Sequence, residues 1–454
     1  MSFWNLGPTV GVGKNLGMTI PPLTVIGRET QAATLPVTQS LGVVSQPFFL
    51  ILVCVLSWPC LAQLTSSGPI TITSANNGQT FQNLKITSTS GPCVHVTGAS
   101  NITIQNVEVG PCGTDQTTSD STGIEIDGGS ANINVYDSYI HVENQASSCG
   151  DTHDDFYIHD NGTGAVTLQG NVIGYGEEDV KILNNSNVSL IGNYIFNPRG
   201  STSCSAPSNA WGHPVQAWTY PPTVTNTNIS YTGNYVYNST DTTKFKFAGK
   251  ANDFLSFGYT TGGTADHNWV GGTNLGIEPN STGIIGDVQV NNIRITDNVV
   301  SDTYQTGIDI ASGANHLISG NKVLIGSNGT VGTANAAGIA IVGSINSPYP
   351  CNTITVSNNM AYAHQSGGFI QGYYNDGYCT GVSLSGNTFD VGCKTGVNCT
   401  EYAALNTLVT TNPPPLIPPQ PKNCVVTSPY TTQTGTPCNV VPASPPTGLT
   451  ATVH

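Results

Sequence analysis

Four consecutive stretches of the chain repeat one pattern of short apolar strands and polar turns. They are CVHVTGASNITIQNVEV (93–109), GIEIDGGSANINVYDSYI (123–140), DFYIHDNGTGAVTLQGNVI (155–173) and DVKILNNSNVSLIGNYI (179–195). In each stretch, an alternating apolar strand leads through an Asn-, Ser- and Gly-rich turn into a second and then a third strand. Alternation places successive side chains on opposite faces of a strand. The repeat therefore predicts an all-β solenoid with three short strands per coil.

Asparagines in the third turn set the length of the coil. Asn83 and Asn106 are 23 residues apart, Asn171 and Asn193 are 22 apart, and Asn298 and Asn321 are 23 apart. Intervals grow elsewhere, as expected where one corner of a coil carries an insertion. Few segments have the pattern of an amphipathic helix.

A coil of about 22 residues with three strands resembles the right-handed parallel β-helix. This is the fold of pectate lyases, polygalacturonases and related carbohydrate-active proteins, and the resemblance covers roughly residues 64–400. It implies a polysaccharide bound in a groove along one outer face, but fold alone does not define the reaction.

Charge narrows the choice of partner. Only 8% of the residues are charged and the formal net charge is −14. Because no basic stripe is present to neutralise phosphates, we do not expect a nucleic-acid partner. An acidic polysaccharide would need Ca²⁺ or a local basic patch in order to bind. We expect a monomer without a membrane span.

Residues 48–57, FFLILVCVLS, form an apolar run that is too short to cross a membrane. The run resembles the core of a signal peptide with cleavage near Ala62, and the alternative is a buried strand. We predict a disordered leader with a signal peptide (1–62), a β-helix domain (63–400) and a Pro-rich, extended tail (401–454). The protein would be extracellular or periplasmic.

Ten cysteines follow the predicted signal, and an exported chain with an even number of cysteines is expected to form disulfides. Sequence does not determine the connectivity. Pairing of neighbours along the chain would join Cys93 to Cys112, Cys149 to Cys204, Cys351 to Cys379, Cys393 to Cys399 and Cys424 to Cys438.

Polar chemistry concentrates in residues 149–218. Three strands in this stretch begin at Phe156, Val180 and Val215, and aligning them puts the preceding residues into columns. Neighbouring coils would stack at about 4.8 Å. One column contains Asp154, Glu178 and His213, and the next contains Asp155 and Asp179.

Two kinds of cleavage fit these columns. In the first, Asp154 and Glu178 act as the paired carboxylates of a glycoside hydrolase, one coil apart. Polygalacturonases carry an Asp, an Asp-Asp pair and a Gly-His on successive coils. Their pattern is loosely echoed by Asp154-Asp155, Glu178-Asp179 and Gly212-His213, although their later Arg-Ile-Lys is absent, so their catalytic residues are not carried over.

The second kind of cleavage is Ca²⁺-assisted β-elimination by a polysaccharide lyase, which the fold resemblance slightly favours. Carboxylates of Asp155, Glu177 and Asp179 would hold the calcium ion, which prefers oxygen ligands. Lys181 or Arg199 would abstract the proton, provided that its pKa is lowered. His213 is a further candidate acid or base.

Outward positions on the same strands are candidates for binding sugar rings and hydroxyls. The predicted substrate-binding residues are Glu125, Tyr157, His159, Gln216, Trp218 and Trp211. A third possibility is a non-catalytic carbohydrate-binding or adhesin scaffold. The concentration of Asp, Glu, His and Lys on adjacent coils favours an enzyme.

Overall fold

A computed structural model describes the chain from residue 64 onward, with gaps. The described residues are 64–113, 121–143, 153–200, 211–220, 224–272, 276–327, 330–346, 349–390 and 400–411. Within them, three long parallel sheets wind along the chain, and successive strands enter the three sheets in turn. The prediction of a right-handed parallel β-helix is confirmed.

Sheet A has twelve strands in the described part of the chain. Strands are numbered in chain order, and those of sheet A are β1 (Thr65–Ser67), β4 (Leu84–Ser88), β7 (Glu108–Cys112), β10 (Tyr139–Ile140), β13 (Val172–Gly174), β16 (Tyr194–Phe196), β20 (Tyr235–Asn238), β24 (Trp269–Gly272), β27 (Val299–Ser301), β30 (Lys322–Ile325), β33 (Met360–Ala363) and β36 (Thr388–Phe389).

Sheet B has eleven described strands and carries the alternating strands that open each repeat. They are β2 (Ile70–Ile72), β5 (Val94–Thr97), β8 (Ile124–Asp127), β11 (Phe156–Gly162), β14 (Val180–Asn185), β17 (Val215–Trp218), β21 (Leu255–Phe257), β25 (Thr282–Gly286), β28 (Thr306–Ile310), β31 (Ala337–Ile341) and β34 (Tyr373–Asn375).

Sheet C also has eleven described strands. They are β3 (Thr80–Gln82), β6 (Ser100–Gln105), β9 (Ala131–Tyr136), β12 (Val166–Gln169), β15 (Val188–Ile191), β19 (Ile229–Thr232), β23 (Thr264–Asp266), β26 (Arg294–Thr296), β29 (Gly313–Ser319), β32 (Cys351–Ser357) and β35 (Thr380–Ser385). A small parallel pair, β18 (Asn226–Thr227) and β22 (Thr260–Thr261), and a short 3-10 helix (Ser74–Asn76) lie at turns.

The core consists of apolar stacks that run along the solenoid axis. Ile126, Ile158, Ile182 and Ala217 occupy equivalent inward positions on successive strands of sheet B, and each is fully buried. Because the strands alternate, their intervening residues point outward, away from this core. Sheet B therefore presents its polar columns on the outside of a rigid scaffold.

Turns from sheet C into sheet A are built from a left-handed residue followed by a buried asparagine. Gly192 has φ 59°, a conformation in which glycine has no steric penalty. The side chain of Asn193, which follows it, donates to Asn234 Oδ1 on the next coil (3.0 Å) and to the Leu168 carbonyl (2.9 Å). The ladder satisfies polar groups that would otherwise be buried without partners.

The asparagines used above to measure the period belong to two neighbouring columns. Asn83 (φ 59°) and Asn106 (φ 51°) occupy the left-handed position, whereas Asn171 and Asn193 belong to the buried ladder one residue later. The coil length of 22–23 residues still holds, because both asparagines of each pair lie in the same column.

The outer face of sheet A is covered by other parts of the chain. Helix α1 (Thr400–Thr411) packs on β30 and β33, and its Tyr402, Leu405 and Val409 belong to one apolar cluster with Trp269 and Leu324. Those three apolar residues recur at helical spacing, which makes one face of the helix apolar. The tail predicted to begin at residue 401 therefore starts with a helix. The Pro-rich remainder and the predicted leader lie outside the described residues.

Two of the predicted disulfides are confirmed, Cys93–Cys112 and Cys351–Cys379. The pairs that involve Cys149, Cys393 and Cys424 lie outside the described residues. Disulfides are typical of proteins from oxidising compartments. Among the residues that the structure describes, no helix has the length and apolar character needed to span a membrane.

Candidate functional site

The register of sheet B places the predicted polar residues side by side on its outer face. Tyr157 pairs with Glu125 on one side and with Lys181 on the other, and Lys181 pairs with Gln216. This confirms the column of outward residues that was expected from aligning the strands of this chain with one another.

The column at the turn before these strands also forms as expected, and it is longer than expected. Backbone N–H of Asp155 donates to the Glu178 carbonyl (3.1 Å), and that of Asp179 donates to the His213 carbonyl (3.1 Å). These bonds put Asp154, Glu178 and His213 in one row. Because Val215 N–H donates to the Phe254 carbonyl (3.0 Å), the row continues to Asp253 on the next coil.

Lys181 is the cation at the centre of the site. Its Nζ lies 3.5 Å from Glu178 Oε1 and 3.8 Å from Asp154 Oδ2. Burial alone would lower the pKa of Lys181, but Asp154, Glu178 and Glu177 raise it above its ordinary value. The condition under which Lys181 would act as a base, a lowered pKa, is therefore not met, and Lys181 is a permanent charge.

Glu178 is held as a carboxylate. Burial opposes its ionisation, but Lys181 and His213 outweigh that effect and lower the pKa of Glu178 to about 2. His213 Nδ1 faces Glu178 Oε1 at 3.8 Å. The amide nitrogens of Gln216 and Asn252 lie 3.3 Å and 3.2 Å from His213 Nε2, so Nε2 accepts hydrogen bonds and the imidazole proton belongs on Nδ1.

Asp253 has the opposite electrostatic environment. Burial is the main cause that raises the pKa of Asp253, to about 7, with Asp287 and Glu278 adding to the effect and His213 opposing it. Its Oδ1 accepts a hydrogen bond from Thr282 N–H (2.7 Å). A carboxyl group near neutral pKa suits a general acid.

Sequence reasoning missed Asp253. The step from Val215 to Leu255 is 40 residues, and an insertion of that length hides the repeat. A usable signal exists, because Asp253 stands two residues before the apolar strand start at Leu255, as Asp154 stands two residues before Phe156.

Asp154 is buried too deeply for its carboxylate to reach a substrate. Its side chain is fully buried, and its Oδ1 accepts the Glu178 N–H (3.2 Å). The structure brings Asp154 and Glu178 together through Lys181, but only Glu178 has access to the face. The predicted pairing of these two carboxylates in a glycoside hydrolase does not fit this arrangement.

Asp155 and Asp179 form a buried carboxyl pair beneath the turn. Both are fully buried, and burial is the largest cause that raises the pKa of each well above its ordinary value. Asp155 accepts N–H bonds from Val142 (2.7 Å) and Gly176 (3.1 Å), so Asp155 is the better anion and Asp179 holds the proton.

This arrangement bears on the predicted calcium ligands. Among the described residues, His, Asp and Glu side chains bring three or more ligand atoms within 4.8 Å of one another in two groups, and neither contains Asp155, Glu177 or Asp179. Asp155 already accepts two backbone hydrogen bonds, and calcium binding by these three residues stays a prediction.

Arg199 is directed to a different cluster. Its Nη1 donates to the Glu143 carbonyl (2.6 Å), and its guanidinium lies 4.1 Å from the centre of the Phe247 ring. These contacts hold Arg199 against the loop that covers sheet A.

The predicted substrate-binding residues divide into two groups on the face of sheet B. Tyr157 stacks on His159 (4.1 Å between ring centres), and His159 Nε2 lies 2.8 Å from Glu125 Oε1. Burial raises the pKa of Tyr157 to about 12. On the other side of Lys181, Trp218 packs edge-on against Tyr259 (5.1 Å).

Trp211 lies apart from these groups, under the ammonium of Lys250 at 5.3 Å from its ring centre.

No known family model and no curated protein matches this sequence. Among solved structures, the chain is similar to the Dettilon tailspike protein, with 13% identity, a TM-score of 0.46, and coverage of 70% of this chain and 61% of the tailspike. It is also similar to the A-module of mannuronan C-5 epimerase AlgE6 from Azotobacter vinelandii (13%, TM-score 0.43, 72% and 78%). The periplasmic alginate epimerase AlgG is a third (12%, 0.40, 72% and 75%).

At these identities the likeness concerns the fold. Fold and site together define the class as a right-handed parallel β-helix protein with an acidic and imidazole-bearing outer face.

Proposed function

We propose that this protein is an exported enzyme that cleaves a polysaccharide on the outer face of sheet B, by acid–base hydrolysis with inversion. The proposal rests on the difference in pKa between two carboxyl groups in one row. The pKa of Glu178 is about 2 and that of Asp253 is about 7. Carboxyl groups whose environments separate their pKa values in this way are typical of an acid and base pair.

The spacing lies at the upper end of the range for inversion. Glu178 and Asp253 are two coils apart, roughly 9–10 Å at about 4.8 Å per coil. Inverting glycosidases keep their carboxyl groups about 6.5–9.5 Å apart, which leaves room for the attacking water. Asp253 would protonate the leaving oxygen, and Glu178 would orient and deprotonate the water.

Neighbouring residues have supporting roles. Lys181 keeps Glu178 ionised, and Gln216 and Asn252 flank the His213 ring between the two carboxyl groups. Trp218 offers an apolar ring for a sugar on the same face.

Charge favours a neutral or weakly charged polysaccharide. The single ammonium of Lys181 already contacts the carboxylates of both Asp154 and Glu178. A uronate would have to compete for it against two fixed anions in a chain of formal net charge −14.

A β-eliminating lyase is the second candidate, and the Glu178–His213 contact favours it. Glu178 orients the imidazole. Burial lowers the pKa of His213, but Glu178 outweighs burial and leaves that pKa above its ordinary value. His213 Nε2 would then be the base, in place of Lys181 or Arg199. Calcium stays a prediction for this candidate, and no step depends on it.

One experiment separates the candidates. The full chain is incubated with neutral and acidic polysaccharides in Ca²⁺ or EDTA, and new reducing ends, ultraviolet absorbance of unsaturated ends and the first-formed anomer by NMR are followed. Hydrolysis with inversion yields reducing ends of inverted configuration without absorbance. Absorbance supports the lyase, and its loss in EDTA supports calcium. Binding without any cleavage refutes both enzymatic candidates and leaves the scaffold.

A further inference from the structure

A second group of polar side chains lies on sheet B, on the N-terminal side of the candidate site. His95, Glu125 and Asp127 come from β5 and β8, and His159 comes from β11. Glu125 and Asp127 are two residues apart on one strand and share its outer face, and His95 pairs directly with Glu125. The proposed hydrolysis uses none of the four.

Three of the side chains form a compact group, and His159 contacts two of them. His95 Nε2 lies 3.0 Å from Asp127 Oδ2, and His159 Nε2 lies 2.8 Å from Glu125 Oε1 and 3.9 Å from Asp127 Oδ2. Ligand atoms of His95, Glu125 and Asp127 all lie within 4.8 Å of one another. Asp127 thus faces both imidazoles, which approach it from opposite neighbouring strands.

These separations match the spacing of ligands around a tetrahedral metal ion. Zinc binds imidazole nitrogen and carboxylate oxygen at about 2.0–2.2 Å, which puts tetrahedral ligand atoms about 3.4 Å apart. The three imidazole–carboxylate distances of 2.8, 3.0 and 3.9 Å lie on either side of that value.

The surroundings orient the ligands as a metal site requires. The His159 ring is stacked on Tyr157 with an interplanar angle of 16°, and its Nδ1 lies 3.5 Å from Asp160 Oδ2. A carboxylate on the distal nitrogen is the usual outer partner of a metal-binding histidine. The four side chains are 18–30% exposed, so an ion can enter from solvent.

We propose that His95, Glu125, Asp127 and His159 bind one divalent transition-metal ion, Zn²⁺ foremost. Two imidazoles and two carboxylates are ligands of intermediate softness whose charge a divalent cation neutralises. Ca²⁺ prefers an all-oxygen set and is expected to bind here far more weakly. The site stands independently of the proposed hydrolysis, because binding is measured without substrate.

The test is titration of the full, chelator-treated chain with Zn²⁺ by calorimetry and with Co²⁺ by visible absorption. We expect one ion per chain with a Kd below about 10 µM, and the intense visible bands of tetrahedral Co²⁺. His95→Ala and the milder Glu125→Gln should each weaken binding at least about tenfold. Millimolar Ca²⁺ should not compete.

His267→Ala is the matched control. His267 Nδ1 lies 2.8 Å from Asp266 Oδ2 at the end of a sheet C strand, and His267, Asp266 and Asp297 form the other group of the described residues whose ligand atoms all lie within 4.8 Å of one another. The control should bind Zn²⁺ like the unaltered chain. Absence of binding at 100 µM Zn²⁺, unchanged affinity in both sheet B variants, or loss of binding only in His267→Ala would each overturn the proposal. Circular dichroism of every variant verifies the fold.

Discussion

Sheets A and B both carry chains of imidazole and carboxylate on their outer faces, and the two chains have opposite surroundings. On sheet A, Glu108 contacts Lys85 (2.7 Å) and His141 (3.3 Å), and His141 contacts Glu143 (2.8 Å). Glu108 is 1% exposed and His141 is 4% exposed. On sheet B, the Glu178–Lys181–His213 group remains open, with side chains 14–25% exposed.

Covering segments produce the difference. Aromatic residues stack along sheet A, and Phe245 packs over Phe196 and Tyr237 while helix α1 covers the later strands. Within the described part of the chain, no comparable apolar cluster lies over the outer face of the central strands of sheet B. The same residue types are therefore enclosed on sheet A and partly exposed on sheet B.

The largest expected effect is on turnover, through the acid assigned on sheet B. Asp253→Asn removes the proton donor and is expected to lower kcat by about 10²–10⁴ with little change in KM. Steady-state hydrolysis of the substrate found in the polysaccharide panel measures it.

Asp297→Asn is the isosteric control. Asp297 has a left-handed backbone (φ 54°) that asparagine tolerates equally well, and it lies at a turn after sheet C. Its turnover should be that of the unaltered enzyme. A full-rate Asp253→Asn enzyme would remove Asp253 from the mechanism.

A smaller effect, on stability instead of rate, is expected on sheet A. Glu108→Gln leaves Lys85 and His141 without their buried anion, which should lower the free energy of unfolding by about 1–3 kcal/mol. Denaturant unfolding measures the loss. Turnover per folded molecule should be unchanged, and a Glu108→Gln enzyme that is stable but inactive would contradict the division between the two sheets.

The smallest effect is the pH profile. A general acid must be protonated, so activity should fall about tenfold per pH unit above the Asp253 pKa of about 7. Glu178, with its pKa near 2, should impose no acidic limit above about pH 3.

Burial lowers the pKa of His213, but Glu178 and Asp253 raise it above its ordinary value, so the profile is also measured in His213→Asn. An alkaline limb that persists in this variant belongs to Asp253, whereas a limb that disappears with the imidazole would assign it to His213.

Stability should follow Asp253 in the same direction. Its folded pKa lies above its ordinary value, so the neutral acid is favoured in the folded state, and its contribution weakens as pH rises from about 4 towards 7. Thermal unfolding between these pH values, compared with Asp253→Asn, measures the change.

The sequence predicted the fold and much of the placement of the site. Alternating strands and the Gly-Asn turns determine the coil, and pairing of Val180 with Val215 brings Lys181 beside Gln216 as expected. Asp253 was missed because its coil carries a long insertion, and helix α1 was missed because its short apolar face lies beside a Pro-rich segment.

Period and polarity, then, are properties of the sequence itself, because side-chain alternation requires only the local backbone. Burial and ionisation depend on the tertiary structure. Four acidic residues look equivalent in the sequence: Asp154, Asp155, Glu178 and Asp179. The fold buries three of them completely and leaves Glu178 partly exposed beside Lys181. Only the stacking of coils decides which carboxyl retains a proton, because desolvation and neighbouring charge arise from residues distant in sequence.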